Sequence, residues 1–148
     1  LICGNRFFED YSRRLSRMRN SADNVIFRLF PYVKEMASIY RVTDLVVSRA
    51  GATTIAELAI TNIPAVLVPY PEAIENHQYF NAEYLVKNKK AVLIADDELS
   101  GETLSGIIEA LLENNCYQYK QMKAENLILN KLDSAAIITA KLLEERKS

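Results

Sequence analysis

The 148-residue sequence has no tryptophan, one histidine, two cysteines and no long apolar run. A single histidine argues against a metal site built from imidazoles. Cys3 and Cys116 lie far apart in sequence, which indicates free thiols in a reducing compartment rather than a disulfide framework. No apolar stretch approaches the roughly 20 residues that a membrane-spanning helix needs. No signal peptide, internal repeat or low-complexity tract is recognisable.

The sequence also lacks an excess of charge of either sign. Lysine and arginine number 18 against 19 aspartate and glutamate residues, so the formal net charge is −1. Because nucleic-acid-binding domains carry a strongly basic face, we expect no nucleic-acid partner. With 49% apolar and 25% charged residues, the chain has an ordinary globular composition and enough length for one domain with a core.

The centre of the sequence contains a strand–turn–helix–strand unit. Leu45–Val47 is an apolar, largely β-branched run that predicts a buried strand. A turn around Gly51 follows, and Thr53 or Thr54 can cap the next helix by accepting from its free amides. Apolar residues then recur at the i, i+3, i+4 spacing of one helix face. The helix ends before Pro64, because the residue preceding a proline avoids helical geometry, and a second apolar strand comes next.

The turn into this helix is suited to binding an anion. Free N–H groups at a helix start, together with the helix dipole, favour a phosphate, and Gly51 lets the backbone approach an anion closely. Glu57 follows about one helical turn later, where its carboxylate can accept from the two hydroxyls of a ribose. The alternative is that Gly51 only forms a tight turn and that Glu57 is a solvated helix carboxylate.

A polar cluster at residues 76–81 follows the next strand. Its sequence is Asn-His-Gln-Tyr-Phe-Asn, and it comes shortly after the carboxyl end of a predicted parallel strand, where open α/β sheets bind ligands. Neutral amides and an imidazole match sugar hydroxyls, which need both donors and acceptors. The cluster therefore predicts sugar binding, and a helix-cap role is the alternative for Asn76.

Strands and helices alternate along most of the chain. The predicted strands lie at 1–3, 25–30, 45–47, 65–68 and 91–95. Helices separate them, and further helices follow the last strand, beginning with one capped by Ser100. This alternation predicts an α/β fold with an open, doubly wound parallel sheet.

These segments together resemble the MurG family of bacterial N-acetylglucosaminyltransferases. The resemblance rests mainly on Ser48–Glu57, on Pro64 with Val68–Pro71, and on Asn76–Asn81. It implies inverting transfer of GlcNAc from UDP-N-acetylglucosamine to lipid I, which makes lipid II in peptidoglycan synthesis. It also implies a GT-B fold of two Rossmann-like domains, of which this chain corresponds to the C-terminal, donor-binding one.

The resemblance assigns contacts to the nucleotide part of the donor. The backbone of Val33 is expected to meet uracil, and Glu57 to hold the ribose hydroxyls. The diphosphate is expected to accept hydrogen bonds from the amides that follow Gly51, namely those of Ala52, Thr53 and Thr54.

The sugar contacts are implied in the same way. His77 and Gln78 fall where the family holds the donor sugar, and Asn81 lies nearby. The family usually has glutamine-like chemistry at both positions of the pair, so His77 departs from its pattern.

Compared with the family, the sequence lacks the first strand of this domain, the glycine-rich loop after it and the N-terminal domain. We therefore interpret residues 1–148 as a single UDP-sugar-binding domain. In the family the other domain carries the lipid I site, the membrane-facing patch and the catalytic base, so no catalytic residue is expected here. No aspartate cluster accompanies the turn, and we expect neither a metal nor a cofactor. The resemblance implies a cytoplasmic enzyme, peripheral on the inner face of the plasma membrane.

Other functions stay open at this point. The chain could be the donor-binding half of another GT-B enzyme or of a two-subunit N-acetylglucosaminyltransferase. It could also be a non-catalytic nucleotide-sugar-binding module, or an α/β domain without a ligand.

Overall fold

The computed structural model describes residues 1–18 and 26–124. They divide into two compact units, Leu1–Arg41 and the residues from Val42 onward. The first unit contains a 3-10 turn at Asn5–Phe7 and two helices, α1 (Phe8–Met18) and α2 (Met36–Tyr40). The second contains the parallel sheet.

The first two predicted strands form only a single parallel bridge, between Ile2 and Phe30. Hydrogen bonds of 2.8 and 3.1 Å flank this bridge. Pairing stops there because Pro31 has no N–H to donate and because Gly4 adopts a left-handed φ of 79°. The predicted second strand begins at Val25, which lies outside the described residues. In the part of the chain that the structure describes, both strands are thus shortened to one bridge.

The second unit is built on a three-stranded parallel sheet in the order β1 (Val46–Ser48), β2 (Ala65–Leu67), β3 (Ala91–Leu93). The first residues of the three strands lie side by side. The three corresponding sequence predictions are confirmed, with strand ends that differ by at most two residues. Neighbouring parallel strands need a crossover connection, and a helix provides each one.

The two crossover helices are α3 (Ala52–Thr61), between β1 and β2, and α4 (His77–Lys87), between β2 and β3. α3 buries Ile55 and Leu58, on the face that the apolar spacing predicted. It ends at Asn62, which has a left-handed φ of 58° and donates its N–H to the Leu58 carbonyl, a common way to end a helix.

The last described helix is α5 (Gly101–Ala124). Ser100 caps it as predicted, since the amide of Thr103 donates to its hydroxyl oxygen at 3.0 Å. Glu113–Cys116 interrupts α5 with non-helical dihedral angles. Helices predicted beyond residue 124 lie outside the described part. Among the described helices, none has the length and apolar character required to cross a membrane.

The core lies on both faces of the sheet. One buried apolar cluster joins the sheet to α5 and consists of Val66, Val68, Ile94, Leu111 and Met122. Because side chains alternate along a strand, Ala65 and Leu67 face the opposite side, and they too are fully buried. Burial on both faces is the doubly wound, Rossmann-like arrangement that the sequence predicted. All three strands point the same way, so their carboxyl ends meet at one edge of the sheet.

Candidate functional site

The candidate site lies at this edge, beginning with the β1–α3 turn, residues 49–51. Gly51 is the N-cap of α3, and within the described ranges no side chain caps this helix. The prediction that Thr53 or Thr54 acts as a cap is therefore wrong. Helical geometry already begins at Ala52, so both threonines lie inside the first turn, where their own amides need acceptors.

The first turn of α3 presents three amides without an intrahelical acceptor. The first intrahelical bond runs from the N–H of Ile55 to the carbonyl of Gly51, at 3.0 Å. The amides before it belong to Ala52, Thr53 and Thr54, and Ala52 and Thr53 are exposed. The structure thus brings the three predicted diphosphate-binding amides together at one accessible helix start, where the helix dipole adds positive potential.

Gly51 is not required by the conformation or by the packing of the described chain. Its φ of −63° and ψ of 148° are extended values that any residue can adopt. A Cβ added there would have only the Thr54 hydroxyl oxygen nearby, at 4.0 Å. The tight-turn alternative therefore has no conformational basis, and the space beside Gly51 is open to a ligand.

Gln78 holds two backbone segments together through one atom. Its Oε1 accepts from the N–H of Ala50 at 3.2 Å and from the N–H of Tyr70 at 3.0 Å. Since both partners are donors, this atom must be the carbonyl oxygen of the side-chain amide. The carbonyl half of Gln78 is thus occupied, and its NH₂ group is the half that remains for a ligand.

Asn81 is oriented the opposite way. Its Nδ2 donates to the carbonyl of Ala50 at 3.2 Å, so the side-chain carbonyl is the half that remains. Asn81 lies three residues after Gln78, on the same face of α4. Together the two side chains bind both backbone groups of Ala50, which is completely buried.

The other two predicted donor contacts lie on the same helices. His77 is exposed at the first position of α4, four residues before Asn81 and therefore on its face. Glu57 is half-buried on α3, four residues after Thr53 and on its face. The structure thus places Glu57 on the helix that offers the amides, and His77 on the helix that carries Gln78.

Val33 belongs to the first unit. It is half-buried in an irregular segment before α2. Its predicted contact with uracil therefore stays a prediction.

Sequence reasoning missed Arg49. Its Nη1 donates to the carbonyls of Val68 and Pro69, at 3.3 and 3.2 Å, and forms an ion pair with Asp96. Its guanidinium carbon lies 5.6 Å from the centre of the Tyr70 ring. The sequence did contain a signal for this ion pair. Arg49 and Asp96 both follow predicted parallel strands, and such strands end at the same edge of the sheet.

A cavity of about 560 Å³ opens beside these groups, at the ends of β2 and β3. It was also not predicted. Its lining includes Tyr70, Asn76, Tyr79 and Asp97.

The Tyr70 hydroxyl donates to Glu72 at 2.8 Å, and this hydrogen bond and the negative charge of Glu72 raise the pKa of Tyr70.

Metal-ligating side chains are not grouped within the described ranges 1–18 and 26–124. There, no three histidine, cysteine, aspartate or glutamate residues lie close enough together to hold an ion.

Comparisons with known proteins identify the family of this chain. Residues 1–138 match the glycosyltransferase family 28 C-terminal domain. A protein of Psychromonas ingrahamii is 40% identical over 114 residues, covering 76% of this chain and 32% of its own length. A protein of Geobacter metallireducens is 35% identical over 144 residues, covering 97% of this chain and 38% of its own length. Both are named UDP-N-acetylglucosamine--N-acetylmuramyl-(pentapeptide) pyrophosphoryl-undecaprenol N-acetylglucosamine transferase.

A solved structure is also similar. The crystal structure of MurG from Acinetobacter baumannii superposes with a TM-score of 0.78 at 25% identity, covering 97% of this chain and 42% of that one. The chain thus spans about a third of the length of the two curated relatives it matches. The family match, the parallel sheet and the uncapped helix start lead to one conclusion: the chain belongs to the glycosyltransferase family 28 C-terminal domain family.

Proposed function

We propose that this chain binds UDP-N-acetylglucosamine as the donor-binding part of an N-acetylglucosaminyltransferase that converts lipid I to lipid II. The main support is the start of α3, where three amides lack intrahelical acceptors beside a glycine that the fold does not require. Such a helix start binds a diphosphate through its N–H groups and its dipole. The names of the relatives support the same donor and acceptor.

The sugar is held from α4 in this proposal. Gln78 offers a donor and Asn81 an acceptor, because their other halves are bound to Ala50 and Tyr70. A sugar hydroxyl can accept a hydrogen bond and donate one at the same time, so one hydroxyl can satisfy both side chains. His77 is exposed on the same face and contributes a further contact to the sugar.

The ribose is held by Glu57, whose carboxylate accepts from the two ribose hydroxyls. Glu57 lies on α3, the helix that offers the amides of Ala52, Thr53 and Thr54 to the diphosphate. A backbone contact of Val33 with uracil is proposed separately, from the family resemblance alone.

In the reaction, the acceptor hydroxyl displaces UDP from the anomeric carbon with inversion. The bond between that carbon and the diphosphate oxygen breaks, and negative charge builds up on the diphosphate. The amides at the start of α3 stabilise this charge because they are already oriented when it develops. We assign no catalytic base to this chain. The remaining part of the enzyme would supply the base, the lipid I site and the peripheral contact with the cytoplasmic face of the membrane.

The test is calorimetric titration of the chain with UDP-N-acetylglucosamine, UDP and uridine. We expect UDP to bind much more tightly than uridine, because the diphosphate engages the α3 amides. The N-acetylglucosamine group should add affinity through Gln78 and Asn81. Equal affinity for UDP and uridine would contradict the proposed phosphate site, and no binding of any of the three would contradict the donor assignment.

A further inference from the structure

Arg49 connects the ends of all three strands. It follows β1 directly, and its Nη1 donates to the carbonyls of Val68 and Pro69, where the chain leaves β2. The same nitrogen pairs with Asp96, shortly after β3. One side chain therefore joins three backbone segments that are distant in sequence.

This arrangement differs from an ordinary surface ion pair. Lys87 and Glu83 form such a pair on α4, at 2.9 Å, and both belong to the same helix. Isolated pairs of that kind contribute little, because solvent screens them and side-chain entropy opposes them. The side chains of Arg49 and Asp96 are 48% and 34% exposed, but here the guanidinium also bonds two main-chain carbonyls. Such charge-assisted bonds in a network restrict the backbone more than a lone surface pair does.

The network is attached to the turn that presents the amides. Arg49 immediately precedes Ala50, whose backbone is bound by Gln78 and Asn81 of α4. The β1–α3 turn is thus held from α4 and, through Arg49, from the ends of β2 and β3.

We propose that Arg49 is a positioning residue, whose pair with Asp96 holds the β1–α3 turn in the conformation that binds the donor diphosphate. The inference rests on the proposed function for the identity of the ligand. The observation that carries it is the attachment of one guanidinium to all three strand ends, directly beside Ala50.

The competing role for Arg49 is direct contact with a phosphate. The two roles predict opposite effects of Asp96. If Asp96 holds Arg49 in a positioning role, its loss weakens diphosphate binding. If Arg49 contacts phosphate directly, removing the competing carboxylate frees the cation and strengthens binding.

The experiment measures UDP affinity by calorimetry for Arg49→Met, Asp96→Asn and the double variant. Arg49→Met should bind UDP about tenfold more weakly, and Asp96→Asn should bind it severalfold more weakly, because the bonds from Arg49 to the carbonyls of Val68 and Pro69 remain. The double variant should be no worse than Arg49→Met, since the pair with Asp96 is already lost there. Arg49→Lys should be intermediate, since an ammonium keeps the charge but not the planar set of donors. Lys87→Met, which breaks the surface pair on α4, is the matched control and should leave affinity unchanged.

A second measurement needs no ligand. Amide hydrogen exchange at Ala50 and Tyr70 should accelerate in Arg49→Met and in Asp96→Asn beyond any change in global stability, and not in Lys87→Met. Unchanged or tighter UDP binding by Asp96→Asn would overturn the proposal, as would unchanged exchange at both amides. If the unaltered chain fails to bind UDP, the proposed function fails, and the exchange rates still decide whether the pair holds the turn.

Discussion

Gly51 shows at the residue scale how ligand binding can be separated from folding. We expect Gly51→Val to lower UDP affinity at least tenfold, because its branched side chain would occupy the space that a diphosphate needs at the start of α3. Stability should fall by only about 1 kcal/mol, since the φ/ψ values are ordinary and the space is open, and the remaining cost reflects the preference for glycine over valine at a helix N-cap. Calorimetry and thermal unfolding on the same protein check both quantities.

Gly101 provides the control for this substitution. A Cβ added at Gly101 would also meet open space, but Gly101 is the first residue of α5 and does not belong to the start of α3. Gly101→Val should therefore leave UDP affinity unchanged. A large loss of stability in Gly51→Val with no specific effect on affinity would favour the tight-turn reading over the ligand site.

Glu57 allows a second test at this scale. Glu57→Ala should weaken UDP binding by about 1–3 kcal/mol, through loss of charge-assisted hydrogen bonds to the ribose. The variant should also lose most of the discrimination between UDP and 2′-deoxy-UDP, because the partner of the 2′-hydroxyl is gone. Glu109→Ala, on exposed surface of α5, is the control. Unchanged affinity in Glu57→Ala, with the fold intact, would remove Glu57 from the site.

At the scale of elements, the start of α4 ties two strand ends together while offering groups to a ligand. Gln78 does both with the two halves of one amide. In the second unit, the functional geometry therefore depends on how α4 sits against the segments that follow β1 and β2.

Gln78→Glu separates these two tasks. A carboxylate accepts from the amides of Ala50 and Tyr70 but has no NH₂ group to offer a sugar. We expect the melting temperature to be nearly retained. The affinity gained from the N-acetylglucosamine group should fall, and UDP itself should bind somewhat more weakly, because the new carboxylate repels the diphosphate. Gln78→Ala should in addition lose about 1–3 kcal/mol of stability, because two amides lose their acceptor. If both variants were equally destabilised, the carbonyl of Gln78 would not be the shared acceptor.

At the scale of the whole molecule, the chain corresponds to part of its relatives, covering 32% and 38% of the two compared above. We expect the 148 residues alone, supplied with UDP-N-acetylglucosamine and lipid I, to show no sugar transfer. Transfer requires the acceptor hydroxyl to be held and deprotonated beside the anomeric carbon, and that positioning provides much of the rate. A radiolabelled transfer assay measures this.

Addition of the N-terminal part of a relative, in trans or fused, should restore activity in the same assay. One result would contradict this expectation. Turnover by the chain alone, abolished by His77→Ala, would make His77 the catalytic base rather than a contact to the donor sugar.

The sequence by itself determined the βαβ unit and the residues at the start of α3. These depend on local properties, such as the apolar run at residues 45–47, the spacing of Ile55 and Leu58, and the stop before Pro64. Neighbouring residues decide such features, so they can be recognised without knowledge of the fold. Even here the prediction of the helix cap was wrong. The N-cap of α3 is Gly51, and Thr53 and Thr54 therefore lie inside the helix.

Only the tertiary structure decided which groups meet at the edge of the sheet. Gln78 bonds Ala50 across 28 residues of sequence, and Arg49 pairs with Asp96 across 47. Contacts over such distances depend on strand order and register, which no local pattern specifies. The same cause explains why the sequence indicated amides suited to a sugar but not which half of each amide is free. That choice is made by the backbone groups of Ala50 and Tyr70, which the fold brings to α4.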